Sequence, residues 1–108
     1  GYYDAYYTKA QKVRQMIKSD TEKLLSKYDY IILPTTPNLP FKIGKNQSPT
    51  SVYYEDIFTV QANLSGHPSL ALPMKKTNDN FVSSAQIIGD YFSENEMLQV
   101  AKKILIDN

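Results

Sequence analysis

The sequence predicts an α/β fold, a mixed β-sheet covered by helices. Three observations carry that reading. Apolar residues recur at helical spacing at both ends of the chain, and three short apolar, partly β-branched runs lie between them. Proline or glycine punctuates most of the junctions. Helices alternating with apolar strands define a sheet that helices cover.

The first element runs from Tyr3 to Tyr28. Tyr3, Tyr6, Tyr7, Ala10, Val13, Ile17, Leu24 and Tyr28 fall on one side of a helix, with Lys9, Lys12, Arg14, Lys18 and Glu22 elsewhere around it. No Gly or Pro interrupts the stretch, so one amphipathic helix of about seven turns is expected. That length suits a helix laid across a larger body. Tyr30-Ile31-Ile32-Leu33 reads as a strand ending at Pro34, and its unbroken apolar run is that of a strand buried on both faces. Residues 34–49 hold four prolines and form a loop.

Ser51 to Ser65 returns to helical period through Tyr54, Ile57, Phe58, Ala62 and Leu64. Gly66 supplies the left-handed residue that ends this helix, and Pro68 prevents its continuation. Ser69 to Met74 is a second strand and Phe81 to Ile88 a third, stopped by Gly89, with a polar turn from Lys75 to Asn80 between them. Ser93 and Glu96 have capping-box spacing, and Phe92 with Met97 has that of a hydrophobic staple. Met97, Val100, Ala101, Ile104 and Leu105 then mark the buried stripe of a last helix, with Lys102 and Lys103 near its negative end. Three strands make a narrow sheet whose apolar edges invite further strands. Residues 1–108 are therefore expected to be a single unit, incomplete without residues upstream; the lack of an initiating methionine agrees with that.

Composition narrows the function. The chain has no cysteine and one histidine, His67, which leaves no disulfide, thiolate metal site or histidine cluster. Twelve Lys and Arg against eleven Asp and Glu, interspersed, give a net charge of +1 and no electrostatic footprint for nucleic acid or acidic membranes. The apolar runs fall far short of the ~20 residues that span a bilayer, and no leader pattern opens the chain. A cytoplasmic location is the expectation.

Candidate nucleophiles are scarce. No Gly-x-Ser-x-Gly elbow and no phosphate-binding glycine loop occurs. Ser65-Gly66-His67 sets a hydroxyl near an imidazole, but close neighbours in sequence seldom face each other productively; a capped turn is the better reading. Ser83 and Ser84, adjacent in a strand, point to opposite faces and cannot act together. The nine tyrosines, most of them in or beside predicted helices, read as packing residues rather than as a base-stacking platform. Asp56, beside Ile57 and Phe58 within a predicted helix, is either a solvated residue or a carboxylate presented to a cationic ligand.

Several blocks of sequence are similar to one family. Gly1-Tyr2-Tyr3-Asp4-Ala5-Tyr6-Tyr7 with Lys9-Ala10-Gln11-Lys12-Val13-Arg14, then Leu33-Pro34-Thr35-Thr36-Pro37, Lys42-Ile43-Gly44, Asp56-Ile57-x-Thr59, Asn63-Leu64-x-Gly66-x-Pro68 and Gln86-Ile87-Ile88-Gly89 occur in the order found in amidase-signature enzymes. The tyrosine-rich opening resembles, within that family, the amidase subunits of tRNA-dependent amidotransferases that act on glutamyl-tRNA(Gln). The resemblance covers essentially the whole chain and implies the C-terminal part of the amidase-signature fold.

It further implies that a Lys–Ser–Ser catalytic triad lies upstream, that no catalytic residue and no metal site belongs to this chain, and that the 108 residues alone are inactive. By resemblance the complete subunit hydrolyses glutamine through an acyl-enzyme and passes ammonia to a partner. There ATP and Mg activate the glutamyl or aspartyl group on tRNA. The implied partners are glutamine and two other subunits of a heterotrimer, with tRNA held mainly by a partner subunit. Asp56 matches the carboxylate that holds the α-amino group of glutamine, while Thr59 and Asn63, which can bond locally or cap the Gly66 turn, read as structural. One departure stands out: the segment that usually reads Gly-Leu-Pro-x-Gly-Leu-Gln is here Asn80-Phe81-Val82-Ser83-Ser84-Ala85-Gln86, without its glycines. A stand-alone amide hydrolase of the same family and a non-catalytic interaction module are the alternatives.

Overall fold

A computed structural model describes residues 1–45 and 47–107. Its elements are α1 (Tyr2–Lys27), β1 (Ile31–Pro34), α2 (Pro49–Glu55), α3 (Val60–Ser65), β2 (Ser69–Lys76), β3 (Val82–Ile88) and α4 (Glu94–Asp107). The three strands form one sheet in the order β1-β3-β2. The sheet expected to be mixed is, among the described residues, antiparallel at both ladders: β3 lies between β1 and β2, and those two run parallel without touching. The second strand, expected over Ser69 to Met74, extends to Lys76. β2 runs through Pro73, and the register shifts between Pro73 and Lys76, a bulge that accommodates the residue lacking a donor.

Side-chain alternation along β3 sorts the layers. Ile87 packs with Leu72, Met97 and Ala101 in the main apolar core, joined by Tyr30, Leu70 and Ile104, so this face meets α4. Gln86 and Ile88 face the other way, toward the α2–α3 junction and its surroundings. Residues 86–88 are all buried, so β3 is covered on both faces. β1 is not. It pairs with β3 through Ile32 opposite Ile87, yet Ile32 is 67% exposed, because α4 packs on β2 and does not extend over β1.

Helix α1 is long, as its pattern demands, but only its second half is packed. Thr21 and Leu25 are buried against neighbouring elements, and α1 lies against α3. The Thr21 hydroxyl donates to the Ile17 carbonyl at 2.7 Å and accepts from Gln61 Nε2 at 3.3 Å, while Arg14 Nε donates to the Leu64 carbonyl at 3.1 Å. In the first half Tyr2, Tyr3, Tyr6 and Tyr7 are exposed; Tyr2 and Tyr6 meet edge to face at 4.7 Å. Among the described residues these four tyrosines are not packed into the core. The surface totals 8570 Å², whereas a compact protein of this mass exposes about 6,100 Å². The radius of gyration is 16.7 Å against about 13 Å for a compact chain of this length.

Two expectations for α4 change. The Ser93 hydroxyl donates to the Asp90 carbonyl at 2.7 Å. Phe92 adopts φ 61° and is 95% exposed, so it makes no staple with the buried Met97. Gly89 explains the crowding there: a Cβ on it would lie 2.6 Å from Met97 Sδ and 2.7 Å from Ser93 Oγ.

Candidate functional site

The helix expected over 51–65 is two helices with a turn between them, and Asp56 stands at that break. α2 begins where Ser48 Oγ accepts from the Ser51 amide at 3.2 Å with Pro49 in the first turn, a favourable start. It ends at Asp56, the C-cap residue, at φ −96° and ψ 0°. The run Ile57-Phe58-Thr59-Val60 is aromatic and β-branched, poor in helix propensity, and the Phe58 carbonyl bonds outside the segment, to Gln86.

The backbone of Asp56 is fixed. Its carbonyl accepts from the Thr59 amide at 3.1 Å, the Val60 amide at 3.3 Å and the Thr59 hydroxyl at 3.1 Å. Asn63 Nδ2 then donates to the Thr59 carbonyl at 3.0 Å. Thr59 and Asn63 thus bond locally, the structural role expected of them. The α3 end is also as expected: Gly66 sits at φ 78° and its amide donates to the Ala62 carbonyl at 2.9 Å.

The two adjoining carboxylates are used differently. Glu55 Oε1 accepts from Asn38 Nδ2 at 3.0 Å and so ties α2 to the proline-rich loop. The Asp56 carboxylate is exposed and, among the described residues, has no hydrogen bond or ion-pair partner. Loop residues 36–41 close over a cleft of ≈ 520 Å³ whose walls include Pro34, Phe41, Glu55, Ser83 and Ser84. The Ser83 hydroxyl donates to the Lys75 carbonyl at 3.2 Å, which leaves it a packing group.

Beneath the turn lies a side chain that the sequence did not single out for a role. Gln86 is 4% exposed. Its Nε2 donates to the carbonyls of Pro34, at 3.2 Å, and Phe58, at 2.5 Å, and its Oε1 accepts from the Ser69 hydroxyl at 2.9 Å. One amide therefore joins the end of β1, the start of β2 and the turn that carries Asp56. A long polar side chain between Ala85 and the apolar pair Ile87-Ile88 was the available signal, since such a group is buried only when hydrogen-bonded.

Ser65 and His67 do meet, contrary to expectation: His67 Nδ1 lies 2.9 Å from Ser65 Oγ. Both are buried, and the Tyr91 ring stacks on the imidazole at 4.1 Å, so the pair is a packed cluster rather than an accessible nucleophile. Tyr91 in turn donates to Glu22 Oε1 at 3.0 Å and bonds the Ser65 carbonyl at 3.3 Å. Among the described residues, no group of three or more His, Cys, Asp or Glu could hold a metal ion. Nor is any helix among them long and apolar enough to cross a membrane.

A three-stranded antiparallel sheet backed by helices defines an α/β unit, and comparison with known proteins gives its family. The family model for amidases matches residues 1–98, and the chain belongs to that family. Its curated relatives include the A-subunit of the glutamyl-tRNA(Gln) amidotransferase from Halothermothrix orenii, 45% identical over 94% of this chain, and that from a Sulfurihydrogenibium species, 51% identical over 95%. The crystal structure of the corresponding polypeptide from Thermotoga maritima superposes with a TM-score of 0.79 at 43% identity, covering 85% of this chain and 20% of that one. A 6-aminohexanoate cyclic dimer hydrolase matches less well, with a TM-score of 0.51 at 29% identity over 70% of this chain and 18% of its own. The chain spans about a fifth of the length of the curated relatives it matches.

Proposed function

We propose that this chain is the C-terminal part of the glutamine-hydrolysing subunit of a tRNA-dependent amidotransferase, and that the Asp56 carboxylate receives the α-ammonium group of glutamine. The observation that carries the proposal is the pairing of a fixed backbone with a free carboxylate. Three hydrogen bonds to its carbonyl hold Asp56, while its side chain is left without an internal partner among the described residues. An ammonium meeting such a carboxylate gains a charge-assisted hydrogen bond. The relatives named as amidotransferase subunits, at 43–51% identity, support this reading over the cyclic dimer hydrolase at 29%.

Bond cleavage in this proposal belongs to a Lys–Ser–Ser triad outside the 108 residues, and ATP and Mg to a partner subunit that receives the ammonia and amidates glutamyl- or aspartyl-tRNA. The open surface supports attachment to a larger body. The excess over a compact chain is about 2,500 Å², the scale of an obligate interface, and it includes the exposed tyrosines of α1 and the bare Ile32 on β1.

The test is Asp56→Ala in the full-length protein that carries this sequence, with glutaminase kinetics as the readout. A charge-assisted hydrogen bond of about 1.5–3 kcal/mol predicts a KM for glutamine roughly 10- to 150-fold higher. An unchanged KM would end the assignment. The second reading, a stand-alone amide hydrolase, rests on the structural likeness to the cyclic dimer hydrolase; it predicts purification without partner subunits and no ATP-dependent amidation of tRNA.

A further inference from the structure

We infer that Gln86 is the positioning residue for the Asp56 carboxylate. The inference rests on the reading of Asp56 as the glutamine-binding group and names what holds it in place.

The turn has little apolar anchorage of its own. Asp56 is exposed, Ile57 is 49% and Val60 43% exposed, and neither Phe58 nor Thr59 is fully buried. The hydrogen bonds within the turn fix its internal shape but not its place relative to the sheet. Among the described residues, the hydrogen bond that joins segment 49–60 to the sheet runs from Gln86 Nε2 to the Phe58 carbonyl. Gln86 is itself immobile. It sits on the central strand, is buried, and has its other partners on both flanking strands, Pro34 of β1 and Ser69 of β2.

Chemistry explains the choice of residue. Pro34 and Phe58 both present carbonyl oxygens, which require donors, and Ser69 presents a hydroxyl, which requires an acceptor. A primary amide offers two N–H donors and one oxygen on a single planar group. Glutamate supplies the oxygen but faces the two carbonyls with like partial charge, and a methionine of similar length supplies neither. Only Ile57 separates Phe58 from Asp56, so a tie at the Phe58 carbonyl sets where the carboxylate stands in space.

The experiment uses the full-length protein with Gln86→Met, Ser69→Ala, Asp56→Ala and the Gln86→Met, Asp56→Ala double variant. A role confined to folding lowers the active fraction, and with it kcat, while leaving the KM for glutamine alone. Mispositioning of a binding group raises KM instead. The expected result is a KM raised at least about fivefold in Gln86→Met, with a smaller change in kcat, and no further rise when Asp56 is already alanine. Amide hydrogen exchange at Thr59 and Val60, whose N–H groups bond the Asp56 carbonyl, should quicken in Gln86→Met. If that variant does not fold, Ser69→Ala removes the bond that orients the amide and should raise KM about twofold.

Unchanged exchange at Thr59 and Val60 overturns the inference whatever the substrate proves to be. So does an unchanged KM in the Gln86 and Ser69 variants beside a raised KM in Asp56→Ala. If Asp56→Ala itself leaves KM untouched while exchange quickens in Gln86→Met, the failure lies in the reading of Asp56, and the inference falls with it.

Discussion

Helix α3 is held at both ends by buried polar side chains, and the two ends are built on different chemistry. At its leading end a neutral amide, Gln86, uses both donors and its oxygen on three separate segments. At its trailing end an imidazole, His67, pairs with Ser65 through Nδ1 and stacks on Tyr91, while its buried Nε2 has no partner among the described residues. Burial lowers the His67 pKa, and Lys18 adds to that; Glu22 and Asp90 oppose it without reversing it. An amide does not titrate between pH 4 and 9, whereas an imidazole does. The leading end is therefore fit to hold the Asp56 turn in one place across conditions, and the trailing end makes the fold sensitive to acid.

Breaking the leading end should cost most. Gln86→Leu leaves the Pro34 and Phe58 carbonyls without their donor, and at about 1–3 kcal/mol for each unsatisfied group the expected loss is about 2–6 kcal/mol in chemical denaturation. Next in size is Gly89→Ala, which forces Met97 out of its place in the core and should cost about 1–3 kcal/mol. At the trailing end, Gly66→Ala puts a Cβ on a residue at φ 78° and should cost about 1–2 kcal/mol.

The imidazole gives a sharper test by pH. Its folded pKa lies below the ordinary value of 6.5, so between the two the unfolded chain binds the extra proton. The stability this group contributes is complete above pH 6.5 and declines as pH falls through the interval down to the folded pKa. The slope should reach at most about 1.4 kcal/mol per pH unit, and His67→Phe should remove that component of the acid dependence. The smallest effect is expected where the ligand would bind. Asp56→Ala, lacking any internal partner to lose, should shift stability by less than about 0.5 kcal/mol while raising the glutamine KM. A large stability loss there would show that the carboxylate is structural.

Much of this was legible in the sequence, for reasons that particular residues make plain. An uninterrupted helical period marked α1, and Gly66 followed by Pro68 marked the end of α3. Asp56 was legible as a residue of interest because a carboxylate beside Ile57 and Phe58 is out of keeping with a packed face. The break between α2 and α3 was not legible, because it depends on Gln86, 28 residues away, taking the Phe58 carbonyl. The two-sided burial expected of β1 is found at β3 instead, since strand pattern does not say how far a covering helix reaches. The staple at Phe92 failed because spacing cannot show that a residue adopts positive φ and turns outward. His67 and Ser65 met for a related reason: the left-handed Gly66 between them reverses the chain.

The strand order has a consequence for how the sheet is assembled. Its middle member, β3, is the last of the three to leave the ribosome, and β1 waits 57 positions for the partner of Ile31, which is Ile88. Until β3 arrives, β1 and β2 lack the strand with which both pair here, since they do not bond to each other. Loop closure over such distances is slow relative to helix formation. The helices are therefore expected to form first, and a nascent chain halted before residue 82 would carry two apolar strands open to the wrong neighbour.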